Sequence, residues 1–219
     1  MMPGSGKLAV FDCDGTLVDS QAGICAAMDA AFAASSLAPP DRHAVRRTVG
    51  LSLEQAIAGL LPHRPETLHA EVSAHFREAF KLSRETGALT EPLYDGIPEL
   101  LDALRARGWA LGVATGKSDR GLIHCLSVHG LSDRFVTLQT ADRHPSKPHP
   151  AMLEAALAEA GVGAADAVMI GDTSYDMAMA RAAGVRAVGV DWGYHDPAEL
   201  RASGAQAVAL TPRELDALL

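Results

Sequence analysis

Four short apolar runs, Leu8–Phe11, Ala110–Ala114, Ala167–Ile170 and Ala187–Val190, stand far apart in the chain, and each is followed by a stretch of helical periodicity. Strands separated in this way do not pair as tight hairpins. They pair in parallel, with the intervening helices packed on the faces of the sheet. The runs show no alternation of apolar and polar residues, as expected for strands covered on both sides. Ile97, Leu100, Leu101 and Leu104 repeat at i, i+3, i+4, i+7, with Pro98 near the start and Gly108 at the end. Leu153, Ala156, Leu157 and Ala160 repeat in the same way between Pro150 and Gly161. Both segments carry the punctuation of helices, and the whole predicts a layered α/β fold.

From about Val18 to Glu91 the pattern changes, because no strand pattern occurs and three amphipathic helices follow one another. Ile24, Ala27, Met28, Ala31 and Phe32 make one stripe, and Leu68, Val72, Phe76 and Phe80 make another. Between them a helix opens at Ser52, with Gln55 three residues on as in a capping box, and runs through Ile57 and Leu60 to Pro62. A chain of 219 residues is long for one minimal domain and short for two, taking about 150 residues per domain. The expected organisation is therefore a core formed by residues 1–17 and 92–219, with an all-helical insertion over 18–91.

Composition restricts the partners. With 48% hydrophobic and 21% charged residues and a mean hydropathy of +0.07, the chain has the apolar content of a globular protein, which excludes intrinsic disorder. Its formal net charge of −8 repels the nucleic-acid backbone and anionic membrane surfaces, so neither is an expected partner. No run approaches the roughly 20 apolar residues of a membrane span, and no export signal precedes the first strand. Cys13, Cys25 and Cys125 have no metal-ligand spacing and are odd in number. Reduced thiols in a cytoplasmic protein are the expectation.

Gly4-Ser5-Gly6-Lys7 imitates a phosphate-cradling loop, but it lacks the preceding strand, the earlier Gly and the following Ser or Thr, and reads as a flexible leader. The informative segment is Phe11-Asp12-Cys13-Asp14-Gly15-Thr16-Leu17-Val18-Asp19-Ser20, directly after the first run. In an extended chain two carboxylates two residues apart share one side. They fall at the carboxyl end of a strand, where open α/β sheets bind ligands. Such a pair repels itself unless a cation neutralises it.

Asp12-x-Asp14-Gly15-Thr16 with Asp19 resembles the first signature of the haloacid dehalogenase superfamily of phosphotransferases, and three further signatures follow in order. Thr115-Gly116 closes the second strand, Lys147 lies in Ser146-Lys147-Pro148-His149-Pro150 before a helix, and Gly171-Asp172-Thr173-Ser174-Tyr175-Asp176 follows the third. Gly50-Leu51-Ser52, Trp192-Gly193-Tyr194 and the tail around Thr211-Pro212-Arg213-Glu214-Leu215 are similar to the phosphoglycolate phosphatase group. The resemblance implies a Rossmann-like parallel core with a helical cap inserted after the first strand. It further implies a Mg²⁺-dependent phosphatase acting on a small phosphorylated metabolite, as a monomer or homodimer.

On that resemblance Asp12 is the nucleophile that forms an aspartyl-phosphate, and Asp14 is the general acid and base. Mg²⁺ would be held by Asp12, the backbone carbonyl of Asp14 and Asp172, with Asp176 behind as a ligand through water or a holder. Thr115, the N–H of Gly116 and Lys147 would bind the phosphoryl oxygens, and the helix starting near Ser118 would turn its free N–H groups to the same anion. Four acids, Asp12, Asp14, Asp172 and Asp176, are expected to converge. Cys13 is expected in the core and His149 in a surface turn. Arg46 and Arg47 are expected on a solvated helix face, with a substrate carboxylate as the rarer use. The rival enzyme is a β-phosphoglucomutase-like isomerase, which carries an Arg where this chain has Leu53 and a Lys where it has Val49. A catalytically silent binding protein on the same fold is the rival from another class.

Overall fold

The computed structural model describes residues 6–219. Gly4 and Ser5 therefore lie outside the described residues, and Lys7 is not leader but the first residue of a strand. Six strands form one parallel sheet: β1 (Lys7–Phe11), β2 (Trp109–Thr115), β3 (Thr137–Thr140), β4 (Ala167–Gly171), β5 (Arg186–Val190) and β6 (Ala207–Ala209), in the order β3-β2-β1-β4-β5-β6. The four apolar runs are the four inner strands. The two edge strands, β3 and β6, were not expected from the sequence.

Helices α1 (Gln21–Ala34), α2 (Arg42–Thr48), α3 (Leu53–Leu60) and α4 (Glu66–Glu85) follow β1, and α5 (Ile97–Ala106) returns the chain to the sheet. Further along come α6 (Asp119–Val128), α7 (Ala151–Ala160), α8 (Ser174–Ala182), α9 (Pro197–Ser203) and α10 (Pro212–Leu218). The insertion thus holds four helices, where three were expected. The extra one, α2, is seven residues long and buries only Val45, so its apolar stripe was too short to register, although Asp41 caps it by accepting from Ala44 N at 2.9 Å. α3 opens on Ser52, which accepts from Gln55 N, and ends at Leu60, two residues before Pro62.

The period-two geometry of β1 divides the core. Ala9 and Phe11 belong to a cluster with Ile97, Leu101 and Leu104 of α5, Leu122 of α6 and Leu215 of α10. Leu8 and Val10 belong to the opposite one, with Met152 and Leu153 of α7, Met177 of α8 and Leu200 of α9. Burial of both faces is why the strand reads as an uninterrupted apolar run, and each such side chain contributes about 1.5–3 kcal/mol. A third core lies within the insertion, where Met28, Phe32, Val45, Ile57 and Val72 bring α1 to α4 together.

Register then fixes the site. Phe11 is level with Val113 of β2 and Ile170 of β4, and Asp12 N donates to the Ile170 carbonyl at 2.9 Å. Asp12 and Asp172, which follow β1 and β4, and Thr115, the last residue of β2, are therefore brought together at the carboxyl ends of the strands.

Candidate active site

Asp12, Asp172 and Asp176 are fully buried, and each offers an oxygen within 4.8 Å of the others. Lys147, also fully buried, places Nζ 2.9 Å from Asp12 Oδ1 and 2.7 Å from Asp176 Oδ1. Three carboxylates against one ammonium leave an excess of two negative charges if all are ionised. Burial, reinforced by Asp176 and Asp14 and opposed by Lys147, pushes the Asp12 carboxyl up to about 7. Burial, followed by the charges of Asp12 and Asp176, raises Asp172 well above the carboxylate range. Burial alone would lower Lys147, but the two carboxylates beside it hold it above the ordinary lysine value.

The donors are held from several elements. Asp12 Oδ1 accepts from Cys13 N at 2.6 Å, whereas its Oδ2 is buried without a hydrogen-bond partner. Asp172 accepts from Thr16 Oγ1 at 2.7 Å and from Tyr194 N at 2.9 Å. Asp176 Oδ2 closes a capping box at the start of α8, accepting from Thr173 N and Thr173 Oγ1 at 3.1 and 2.7 Å. Both oxygens of Asp176 are thus already engaged, while Asp12 presents an open one. An open carboxylate oxygen, neighbouring oxygen donors and a double negative excess fit a hard divalent cation.

Asp14 does not join this group. Its carboxylate Oδ1 is 2.8 Å from Lys117 Nζ, and Lys117 donates to Glu91 Oε1 at 2.5 Å. Burial alone would lower Lys117, yet Asp14 beside it and Glu91 raise it well above the usual value. The expected convergence of four acids is thus a set of three plus a separate Asp14–Lys117–Glu91 set. The sequence reading missed Lys117 and Glu91. The signal available was a cation directly after Thr115-Gly116.

Backbone space is as specific as charge here. Gly15 has φ +84°, and a Cβ on it would collide with Asp172 and Tyr194. A Cβ on Gly116 would run into the carbonyl oxygens of Gly50 and Leu51, so the insertion's backbone rests directly on this turn. Beside it, Ser52 N donates to Ser146 Oγ at 2.8 Å. Thr115 is fully buried, with Oγ1 accepting from Lys117 N at 3.2 Å. The start of α6 differs from expectation: Asp119 N donates to Asp142 Oδ2 at 2.8 Å and Gly121 N to Ser118 Oγ at 3.2 Å, so two of its leading N–H groups are already engaged.

Arg46 and Arg47 depart from the solvated face expected for them. Arg46 donates to the Gly193 carbonyl at 2.7 Å and lies over the Tyr194 ring, and Arg47 pairs with Glu199. Both fasten α2 to the core. Cys13 is buried in the core with its Sγ 3.9 Å from that of Cys125, and His149 is exposed in a turn. Between the insertion and the core lies a cavity of about 760 Å³, reached by Asp14, Gly116 and Lys117 on the core side.

A family model described as haloacid dehalogenase-like hydrolase matches residues 9–190. The chain belongs to the haloacid dehalogenase-like hydrolase family. It is 37% identical over 212 residues to the "probable phosphatase IndB" of Dickeya dadantii, an alignment covering 95% of this chain and 91% of the relative. It is 37% identical over 197 residues to a phosphoglycolate phosphatase of Rhodospirillum rubrum, covering 86% and 80%. A solved haloacid dehalogenase-like family hydrolase of Streptococcus pneumoniae superposes with a TM-score of 0.85 at 25% identity, covering 100% of this chain and 99% of that one. Within the family, the chain is of the phosphoglycolate phosphatase-like group, with the helical insertion as its cap. Among the described residues no helix is long and apolar enough to cross a membrane.

Proposed function

We propose that this phosphoric monoester hydrolase cleaves a small phosphomonoester, phosphoglycolate-like in class, through an aspartyl-phosphate on Asp12. The observation that carries the reading is the unpartnered Oδ2 of Asp12, buried beside Lys147 and two further acids. Asp12, the backbone carbonyl of Asp14 and Asp172 would hold Mg²⁺, with Asp176 orienting the set through Thr173 and Lys147. When bound, the cation supplies positive charge against the phosphoryl oxygens. Lys147, Thr115 and the Gly116 N–H would bind those oxygens as well.

The Asp12 carboxylate attacks phosphorus, and the bond to the alcohol oxygen breaks as the carboxylate–phosphorus bond forms. Asp14, at the wall of the cavity, gives its proton to the departing oxygen, and Lys117 stabilises the carboxylate left behind. Water then attacks the phosphoryl group with Asp14 taking its proton, which frees phosphate and restores Asp12. The cap excludes bulk water during both steps.

Leu53 on the cavity wall, with Arg46 and Arg47 committed to Gly193 and Glu199, speaks against a mutase, which needs a cation there for a second phosphate. The division into a core of 1–17 and 92–219 and a cap of 18–91 is supported where the two connections meet. Val18 bridges Leu93, Asp19 N donates to the Pro92 carbonyl and Tyr94 N to that of Leu17. Three free, buried cysteines agree with a cytoplasmic setting.

The test is a panel of phosphate esters assayed for free phosphate with Mg²⁺ and after chelation, on the native protein and on Asp12→Asn. Turnover by the native protein is expected only with metal, and none by the folded variant. Activity that survives chelation, or phosphate trapped on a residue other than Asp12, overturns the reading.

A further inference from the structure

Five apolar side chains, Ile24 and Met28 of α1, Leu53 of α3 and Phe76 and Phe80 of α4, face the cavity between cap and core. The two rings stack with centroids 5.6 Å apart and planes 24° apart. Phe80 joins this wall to the reacting end, because Lys117 Nζ, the partner of Asp14, lies 5.8 Å from its ring centroid. An alcohol leaving beside Asp14 therefore meets an aromatic face at once.

On the cap wall Arg77 pairs with Glu54 and Lys81 with Glu78. Lys117 is taken by Asp14 and Glu91. Of the cations around the cavity, Arg84 and Arg120 make no ion pair among the described residues, and both also line an adjoining hollow with Ile123, His124 and Ser127. A short carboxylate-bearing alcohol seated against Phe80 would thus meet apolar surface, the two unpaired cations lying where the cavity joins that hollow. A volume of about 760 Å³ is also that of a site for a ligand much larger than a two-carbon acid.

Resting on the phosphatase reading above, but replacing its phosphoglycolate-like alcohol with a larger one, we infer that the preferred ester carries an apolar, planar body on its alcohol, seated between Phe80 and the side chains of α1 and α3. The bonds made and broken are unchanged: the ester and water give the alcohol and phosphate. What this adds is selectivity, about fourfold in kcat/KM for each methylene buried against the wall.

The experiment compares ethyl, butyl and 2-phenylethyl phosphate with phosphoglycolate, with Mg²⁺, by release of free phosphate. The three primary alkoxides are similar leaving groups, so their ratios read the wall and not the chemistry. The expected result is 2-phenylethyl phosphate at least about tenfold above both ethyl phosphate and phosphoglycolate. Phe80→Ala is expected to reduce the 2-phenylethyl to ethyl ratio about tenfold. Because that ratio is internal, a smaller folded fraction of the variant does not affect it. Equal rates across the series, phosphoglycolate as the best ester, or a ratio indifferent to Phe80 overturn the inference and leave the phosphatase reading standing. Absence of phosphate release from every ester overturns that reading and the inference together.

Discussion

Arg46, on a cap helix, donates to the carbonyl of Gly193 at 2.7 Å, and Gly193 immediately precedes the residue whose N–H holds Asp172. One hydrogen bond therefore links the position of the cap to the orientation of a carboxylate in the buried cluster.

Removing that link lowers catalytic efficiency. A hydrogen bond from a charged donor contributes about 1.5–3 kcal/mol, so Arg46→Ala should reduce kcat/KM by roughly 10- to 100-fold. The far-ultraviolet spectrum should not change, since Arg46 belongs to none of the three apolar cores. Steady-state kinetics on one ester decide it; an unchanged kcat/KM contradicts the link.

The proposed metal ligands are also the groups that respond to pH. Asp12 and Asp172 have raised values in the folded protein, Asp12 about 7, against about 4 in the unfolded chain. Between those values the metal-free fold keeps protons that the unfolded chain has released, so stability falls as pH rises. The stabilisation is fully present below about pH 4 and lost through pH 7. Melting of chelated protein should therefore occur at lower temperature at pH 8 than at pH 5, and Mg²⁺ should raise it more at pH 8. Equal increments at the two pH values refute this.

Lys147 is the only cation in direct contact with the buried carboxylates Asp12 and Asp176 among the described residues. Lys147→Met leaves them unpaired and should cost about 3–5 kcal/mol in urea unfolding at pH 8. The loss should shrink at pH 5, where Asp12, pushed up to about 7 by burial, takes up a proton. A pH-independent loss would mean that packing, not charge, is what Lys147 supplies.

Asp14→Asn should depend on the leaving group. p-Nitrophenolate departs without a proton and alkoxides do not, so activity on an alkyl phosphate should fall at least about tenfold more than on p-nitrophenyl phosphate. Equal losses exclude the acid role.

The inner strands were readable because burial on both faces leaves unbroken apolar runs. β3 and β6 were not, since an edge strand such as Thr137-Leu138-Gln139-Thr140 carries polar residues and Ala207–Ala209 is only three residues long. At the site, Asp12, Lys147, Asp172 and Asp176 sit at positions that local pattern marks. Lys117, Glu91 and Thr16 take their roles from partners far away in sequence, and a buried lysine looks like a surface one until its carboxylates are placed. For Arg46 and Arg47 a helix face alone gave the wrong surroundings, because Gly193 and Glu199 are brought to them only by the tertiary fold.

The central position of β1 also shapes how the chain acquires its structure. The strand that leads into Asp12 is made long before its neighbours, since β2 and β4 begin at Trp109 and Ala167. During synthesis Leu8–Phe11 must wait, apolar and unpaired, while α1 to α4 can already gather their own core. Long-range parallel pairing is slow and exposes such strands to aggregation. The segment that leads into Asp12 thus stays exposed on the nascent chain until both neighbours are made, and refolding yield should fall as protein concentration rises.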